Sequence, residues 1–183
     1  RRYAIENGPS GFDPADPKWM SKAYFLMLMR DEWLAALHTH FDDASNVLTI
    51  RHDGAIVAQG DLETVEGRAA IERFFTTSYA RAIKGPPKVL SGNSHSFSEV
   101  ARKVVSIINL ASLAALEAKV GARRHKRRFR ANIWYSGAAA WSERDWIGRE
   151  LLVGRLRVRV LKGIPRCAAT EVNPETCERD ARP

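Results

Sequence analysis

The chain has 183 residues, 45% of them hydrophobic and 27% charged, which is enough for a folded core and excludes wholesale disorder. Its 29 lysines and arginines against 21 aspartates and glutamates give a net charge of +8 and a pI near 9.9, a balance that attracts nucleic acid, phosphate or acidic lipid. No apolar run approaches the roughly 20 residues of a membrane span. The two cysteines, Cys167 and Cys177, are too few for a disulfide framework or an all-cysteine iron–sulfur cluster, so a reducing, cytoplasmic setting is expected.

Residues 1–6 read as a strand, and residues 7–17, with Asn-Gly-Pro and two Asp-Pro steps, as a turn-rich loop. The apolar run 23–29 reads as a continuous strand. Trp33, Leu34, Leu37 and Phe41 place a short helix over 32–41. Asp53-Gly54 between 47–50 and 55–57 is a hairpin signal. Thr64 is the expected N-cap of a helix carrying Ile71, Phe74, Phe75 and Tyr79. Residues 84–98, rich in Gly, Pro and Ser, read as a connection between an N-terminal β-rich region (1–83) and a second domain (99–183).

In that second part, 104–108 reads as a strand. Ser112 caps a helix with Leu113, Leu116 and Val120 on one face, and Gly121 ends it. Residues 129–135 and 151–161 read as strands, the latter alternating Leu156, Val158 and Val160 with Arg155, Arg157 and Arg159. The fold class is α+β, with a β-barrel as the second half.

Cys167 is the first candidate site residue. A free cysteine is most often a small buried hydrophobe. Here, however, it follows Arg166 at the end of a long strand and precedes an Asn-Pro turn. Metal binds the thiolate, which a neighbouring guanidinium favours, and a soft thiolate suits a redox-active transition metal. Arg130 and Asn132 come second. On a strand they would share one face, and a guanidinium beside a carboxamide suits a phosphate and the edge of a heterocycle. Ser112, at a helix N-terminus, can cap the helix and also meet phosphate oxygens. The histidines give little. His38 and His40, two apart on a helix, would lie on different faces and share no metal, and His125 belongs to the cationic run 123–130.

The pattern Arg166-Cys167-x-x-Thr170-x-Val172-x-Pro174-x-Thr176, taken with Arg128-Phe129-Arg130-Ala131-Asn132-Ile133, resembles the MOSC domain, the C-terminal domain of molybdenum-cofactor sulfurases. The opening Arg1-Arg2-Tyr3 is similar to the arginine-plus-aromatic strand of the amidoxime-reducing members, which carry an N-terminal MOSC barrel. The resemblance implies a MOSC-type barrel with a few flanking helices. It implies molybdenum cofactor bound through Cys167, with Arg130, Asn132, Arg166, Ser112 and Arg1 holding the pterin and its phosphate. Trp141, Glu143, Asp145 and Trp146 match the family's acidic-aromatic turn and are expected to close a loop. Ala131 stands where many relatives have proline, and Cys177 where glycine is usual. The chain opens without Met and stops at Pro183, before the strands that finish the barrel in relatives, so a fragment is expected.

The activity so implied is oxygen-atom transfer that reduces an N-oxygenated small molecule, with electrons from a separate flavin or iron–sulfur reductase. The pattern leaves pyridoxal phosphate binding open. A non-catalytic module carrying the cofactor, or sulfur on Cys167, is the alternative. Nucleic-acid binding through residues 123–130 ranks below both, because that run interleaves no aromatic except Phe129.

Overall fold

The computed structural model describes residues 2–92 and 94–181. The chain divides into two compact units, Arg1–Lys103 with Glu175–Arg179, and Val104–Pro174 with Asp180–Pro183. Both mix helix and strand, and the described strands form four sheets of two or three strands each. No helix among the described residues is long and apolar enough to cross a membrane.

In the first unit, β1 (Tyr3–Asn7) pairs antiparallel with β5 (Pro87–Ser91), matching Tyr3 with Ser91 and Asn7 with Pro87. The strands β2 (His38–Asp42), β3 (Val47–His52) and β4 (Ala55–Asp61) form an antiparallel meander. The turn between β3 and β4 is the expected one, with Asp53 and Gly54 both at positive φ. Helix α1 (Val65–Ser78) starts where expected, the Thr64 hydroxyl accepting from the Gly67 N–H at 3.0 Å. Its Ile71 and Phe75 pack with Leu37, Ile50, Leu62 and Val89 into the core. The Glu72 side chain reaches out of α1 to accept from the Val89 backbone at 2.8 Å, fastening helix to β5.

α1 lies close on β4 because two glycines allow it. A β-carbon at Gly67 would meet the Asp61 carbonyl oxygen at 2.0 Å, and one at Gly60 would meet the Gly67 carbonyl oxygen at 2.2 Å.

Several local expectations are corrected in this unit. Residues 23–29 form no strand. Lys22–Tyr24 is a 3-10 turn, Phe25 makes one bridge to Glu6, and the chain then turns around the buried Asp31 carboxylate, which accepts from the Met27 N–H. The helix over 32–41 shrinks to a 3-10 turn, Glu32–Ala36, because His38, Thr39, His40 and Phe41 instead pair along β3. His38 and His40 therefore share a strand face rather than dividing between helix faces. β5 lies inside the stretch read as a connection; its Val89 and Leu90 are buried core residues.

In the second unit, β6 (Ile107–Asn109) and β7 (Ile133–Tyr135) pair in parallel, with helix α2 (Leu110–Val120) between them in sequence. Gly121 ends α2 in the left-handed conformation. β6 sits one to three residues later than the strand expected over 104–108. The strand expected over 151–161 is a hairpin, β8 (Glu150–Val153) and β9 (Leu156–Arg159), because Gly154 at positive φ turns the chain back. Short 3-10 turns fill the remainder at Lys126–Phe129, Ser142–Trp146 and Ala168–Glu171.

Candidate functional site

Cys167 sits in the second unit as the residue before the Ala168–Glu171 turn. Its carbonyl accepts from both the Thr170 N–H (3.0 Å) and the Thr170 hydroxyl (2.9 Å), which fixes its backbone. The side chain is half-buried and the thiol is free. Beside it, the Arg166 guanidinium lies 5.5 Å from the centre of the Phe129 ring. The arginine as a whole is exposed, yet loss of water over that ring pulls its pKa below the ordinary arginine value, with the Cys167 sulfur acting in the opposite sense.

Phe129 belongs to the second candidate segment, and Arg128 ties that segment to the one bearing Cys167. The Arg128 side chain is buried. It donates through Nη1 to the Glu171 carbonyl at 2.9 Å and through Nη2 to the Asp180 carboxylate. The turn that follows Cys167 is thus held directly against the Lys126–Phe129 turn. Sequence reasoning missed Arg128, since it is one cation in a run of six between positions 123 and 130. Only its burial separates it from the others.

Arg130 and Asn132 do not lie on a strand. Arg130 closes the 3-10 turn in the left-handed region, at φ 51°, and β7 begins only at Ile133. The shared-face argument for the two therefore lapses. The Arg130 side chain is exposed, with no hydrogen bond to another described residue. The Asn132 Oδ1 accepts from the Ser106 N–H and hydroxyl, each at 3.0 Å, so this carboxamide fastens β7 to the start of β6, while its NH2 group donates to no other described residue.

Ser112 is not the N-cap of α2. Asn109 is the cap, its Oδ1 accepting from the Ala111 N–H at 3.0 Å, while its NH2 group donates to the Ala138 and Ala139 carbonyls. Asn109 is fully buried, and the sequence reading passed over it. Ser112, one turn in, donates to Glu143 Oε2 at 2.9 Å and accepts from the Trp141 N–H at 2.8 Å. Trp141 and Glu143 thereby close the loop as expected, and Trp146 packs tilted against Tyr135 with ring centres 5.3 Å apart. The Glu143 carboxylate also lies where α2 presents its N-terminal dipole, a favourable place for a negative charge. Burial, then the Glu143 charge, pushes the Tyr135 pKa up.

Arg1 lies outside the described residues. Cys177 adopts a left-handed conformation at φ 63°, the backbone state that glycine takes without strain. Its occurrence where the resemblance leads one to expect glycine has this geometric counterpart. Burial raises the Cys177 thiol pKa above its ordinary value.

Among the described residues no three His, Cys, Asp or Glu side chains gather as a metal site. The donor set is one thiol with the Arg166 guanidinium beside it. That set suits an anionic, metal-bearing organic group that supplies most of its own metal ligands. At Ser112 the fit is poorer, since Glu143 already occupies the hydroxyl.

Residues 86–182 match the MOSC domain family model. Over 72 residues, 39% of this chain, the sequence is 36% identical to mitochondrial amidoxime reducing component 2 of Bos taurus, covering 21% of that protein. The Homo sapiens protein of the same name is 36% identical over 70 residues, 38% of this chain and 20% of the relative. The match thus spans about a fifth of the length of these relatives.

Proposed function

The chain belongs to the MOSC domain family, and from that membership we propose that it binds molybdenum cofactor and reduces N-oxygenated compounds by oxygen-atom transfer. Cys167 would be the protein's ligand to the metal. Arg166 and Arg130 would meet the pterin phosphate, and the Asn132 NH2 group would meet the pterin edge. Ser112 would contribute by holding the Trp141–Glu143 loop, and Arg1 remains a proposed phosphate ligand. When bound, the cofactor supplies two-electron oxygen-atom chemistry; the protein binds it, orients it and tunes it through the thiolate.

The observation that carries this reading is the placement of Arg166 over Phe129 beside Cys167, with Arg128 clamping the two segments together. This supports a thiol with Arg166 beside it, and Arg130 on the segment that Arg128 ties to the turn after Cys167. The relatives named as amidoxime reducing components support an amidoxime or another N-oxygenated small molecule as substrate. A separate flavin or iron–sulfur reductase would deliver electrons. We read the small sheets as parts of MOSC-type barrels, with 1–83 the supporting region, 84–98 the connection carrying β5, and 99–183 the cofactor-binding domain. The free thiols suit a reducing compartment, for which the cytoplasm is our assignment.

The test is molybdenum content by elemental analysis of protein made in a host that synthesises the cofactor, wild type beside Cys167→Ser. Near-stoichiometric metal that falls sharply in the variant supports the reading and justifies a substrate screen with an artificial reductant. Absence of metal from both proteins defeats it and favours sulfur carriage on Cys167 or nucleic-acid binding.

A further inference from the structure

The β8–β9 hairpin has two properties that the cofactor site does not use. Its tip is apolar and exposed: Leu152 and Leu156 are 71% and 69% accessible, and Val153 between them is also exposed. Around it the chain is strongly cationic. From Arg149 to Arg166 there are six cations, Arg149, Arg155, Arg157, Arg159, Lys162 and Arg166, against the single carboxylate of Glu150.

The register shows how the two properties combine. Leu151 faces Val158 and Val153 faces Leu156, which makes one hairpin face wholly apolar. On the other, Leu152 faces Arg157 and Glu150 faces Arg159. With about 3.4 Å of rise per residue, Arg157 stands one step behind the tip and Arg159 about 10 Å behind it. Exposed leucines at a tip with arginines one to three steps back are matched by a surface that is apolar within and negatively charged at its rim. Arg155, at the turn itself, has a stem long enough to return its guanidinium to that rim.

We propose that the β8–β9 hairpin is a membrane-surface anchor, inserting Leu152, Val153 and Leu156 into the outer part of an anionic bilayer while Arg155, Arg157 and Arg159 bind lipid phosphates. Nucleic acid would use the same cations, but it rewards aromatic stacking surfaces, and residues 147–164 contain no aromatic. The leucines would then stay in water. Interfacial binding of this kind draws on both apolar burial and anionic charge, and salt weakens it.

The experiment is co-flotation of the purified chain with phosphatidylcholine vesicles, with and without phosphatidylserine. Binding is expected only with phosphatidylserine and is expected to fall as salt is raised. Leu152→Ser with Leu156→Ser should lower the partition coefficient by roughly a hundredfold or more. Arg155→Glu with Arg157→Glu should lower it by about twentyfold or more. The Leu152→Trp variant, used as a fluorescent reporter, should shift its emission to the blue on binding. All four positions are exposed, and the one ion pair lost among the described residues, Arg157 with Glu150 at 3.8 Å, is exposed on both sides, so thermal melts of the variants are expected to stay close to wild type. Equal binding to phosphatidylcholine alone, or no blue shift from the Leu152→Trp reporter, overturns the proposal. So does binding that survives loss of the leucines and is competed by an RNA oligonucleotide, which assigns the surface to nucleic acid. A concentration-dependent dimer abolished by the leucine change, without vesicle binding, assigns it to a second copy of the chain. None of these outcomes depends on cofactor content.

Discussion

Asp180 holds Arg128 by a single guanidinium nitrogen, with Nη2 2.8 Å from Oδ2 and 2.6 Å from Oδ1. The two partners are unequal. The Arg128 side chain is 4% exposed and that of Asp180 is 37% exposed, so the arginine depends on the pair for its solvation far more than the aspartate does. A second anchor, Asn173, donates to the same carboxylate at 2.8 Å. The pair and the Arg128 bond to the Glu171 carbonyl keep the turn after Cys167 closed on Phe129.

Asp180→Ala is therefore expected to cost about 1–2 kcal/mol, discounted for the exposure of the carboxylate, as read by urea denaturation. The pair also predicts a pH dependence. Burial pushes the Asp180 carboxyl up, but hydrogen bonds from Arg128 and Asn173, with the Arg128 charge, outweigh it and hold the pKa below its ordinary value. A carboxyl depressed in the folded state stabilises it above the unfolded pKa and loses that contribution as pH falls through the folded one. Wild type should lose stability below about pH 4 with a steeper slope than Asp180→Ala. Parallel acid-unfolding curves for the two proteins would disprove the assignment.

Gly67 offers a contrast between local and tertiary preference. Within an exposed helix, Gly→Ala gains about 1 kcal/mol. Here the added methyl would meet the Asp61 carbonyl oxygen at 2.0 Å, and backbone has no flexible end to swing away. Gly67→Ala is expected to destabilise the first unit by about 2 kcal/mol or more, with α1 pushed off β4. A thermal melt at or above the wild-type midpoint would contradict it.

α1 and the Asp53-Gly54 turn are legible in the sequence because their signals are local: a cap hydroxyl, a period of apolar residues, two residues that accept positive φ. The segments misread are those decided by distant partners. Phe41 continues the apolar helical period of Trp33, Leu34 and Leu37, yet β3 offers His38, Thr39, His40 and Phe41 a ladder. Residues 23–29 satisfy strand composition, but β1 supplies only the Glu6 bridge and Asp31 captures the Met27 N–H. At the candidate site, Cys167 and Arg166 are legible as a motif. The clamp by Arg128 is not, because a buried cation and its exposed neighbours look alike in sequence. Arg130 is the opposite case: the residue is singled out as a candidate by its motif, but its left-handed backbone could not be read from an arginine.

The capping role of Asn109 at α2 can be separated from its other hydrogen bonds by mutation. Asn109 makes three hydrogen bonds from a fully buried side chain, joining the helix N-terminus to the Ala138 and Ala139 carbonyls. Asn109→Ala is expected to cost about 2–3 kcal/mol, from the lost cap and from the lost donor to the Ala138 carbonyl, while the Ala139 carbonyl keeps the Ser142 N–H and hydroxyl. Asn109→Ser, which can still cap but cannot reach both carbonyls, should recover about 1 kcal/mol of that. Equal loss in the two variants, measured by chemical denaturation, would show that capping contributes nothing here.

Arg130 lets the backbone and side-chain demands of the site be tested apart. Its φ of 51° and ψ of 34° lie in the left-handed region, which costs a residue with a β-carbon about 1–2 kcal/mol. Glycine removes that strain but loses more entropy on folding, so Arg130→Gly is expected to change stability by no more than about 1 kcal/mol. The side chain is exposed and makes no hydrogen bond to a described residue, so its loss leaves nothing unpaired. On the proposed role, however, its guanidinium meets the cofactor phosphate, and the same variant should carry markedly less molybdenum than wild type. Arg130→Lys should restore part of the metal content, since a point charge replaces a fork that binds phosphate through paired hydrogen bonds. Unchanged metal in Arg130→Gly would remove Arg130 from the site. A large fall in melting temperature would instead make it a structural residue, in which case reduced metal would say nothing of phosphate.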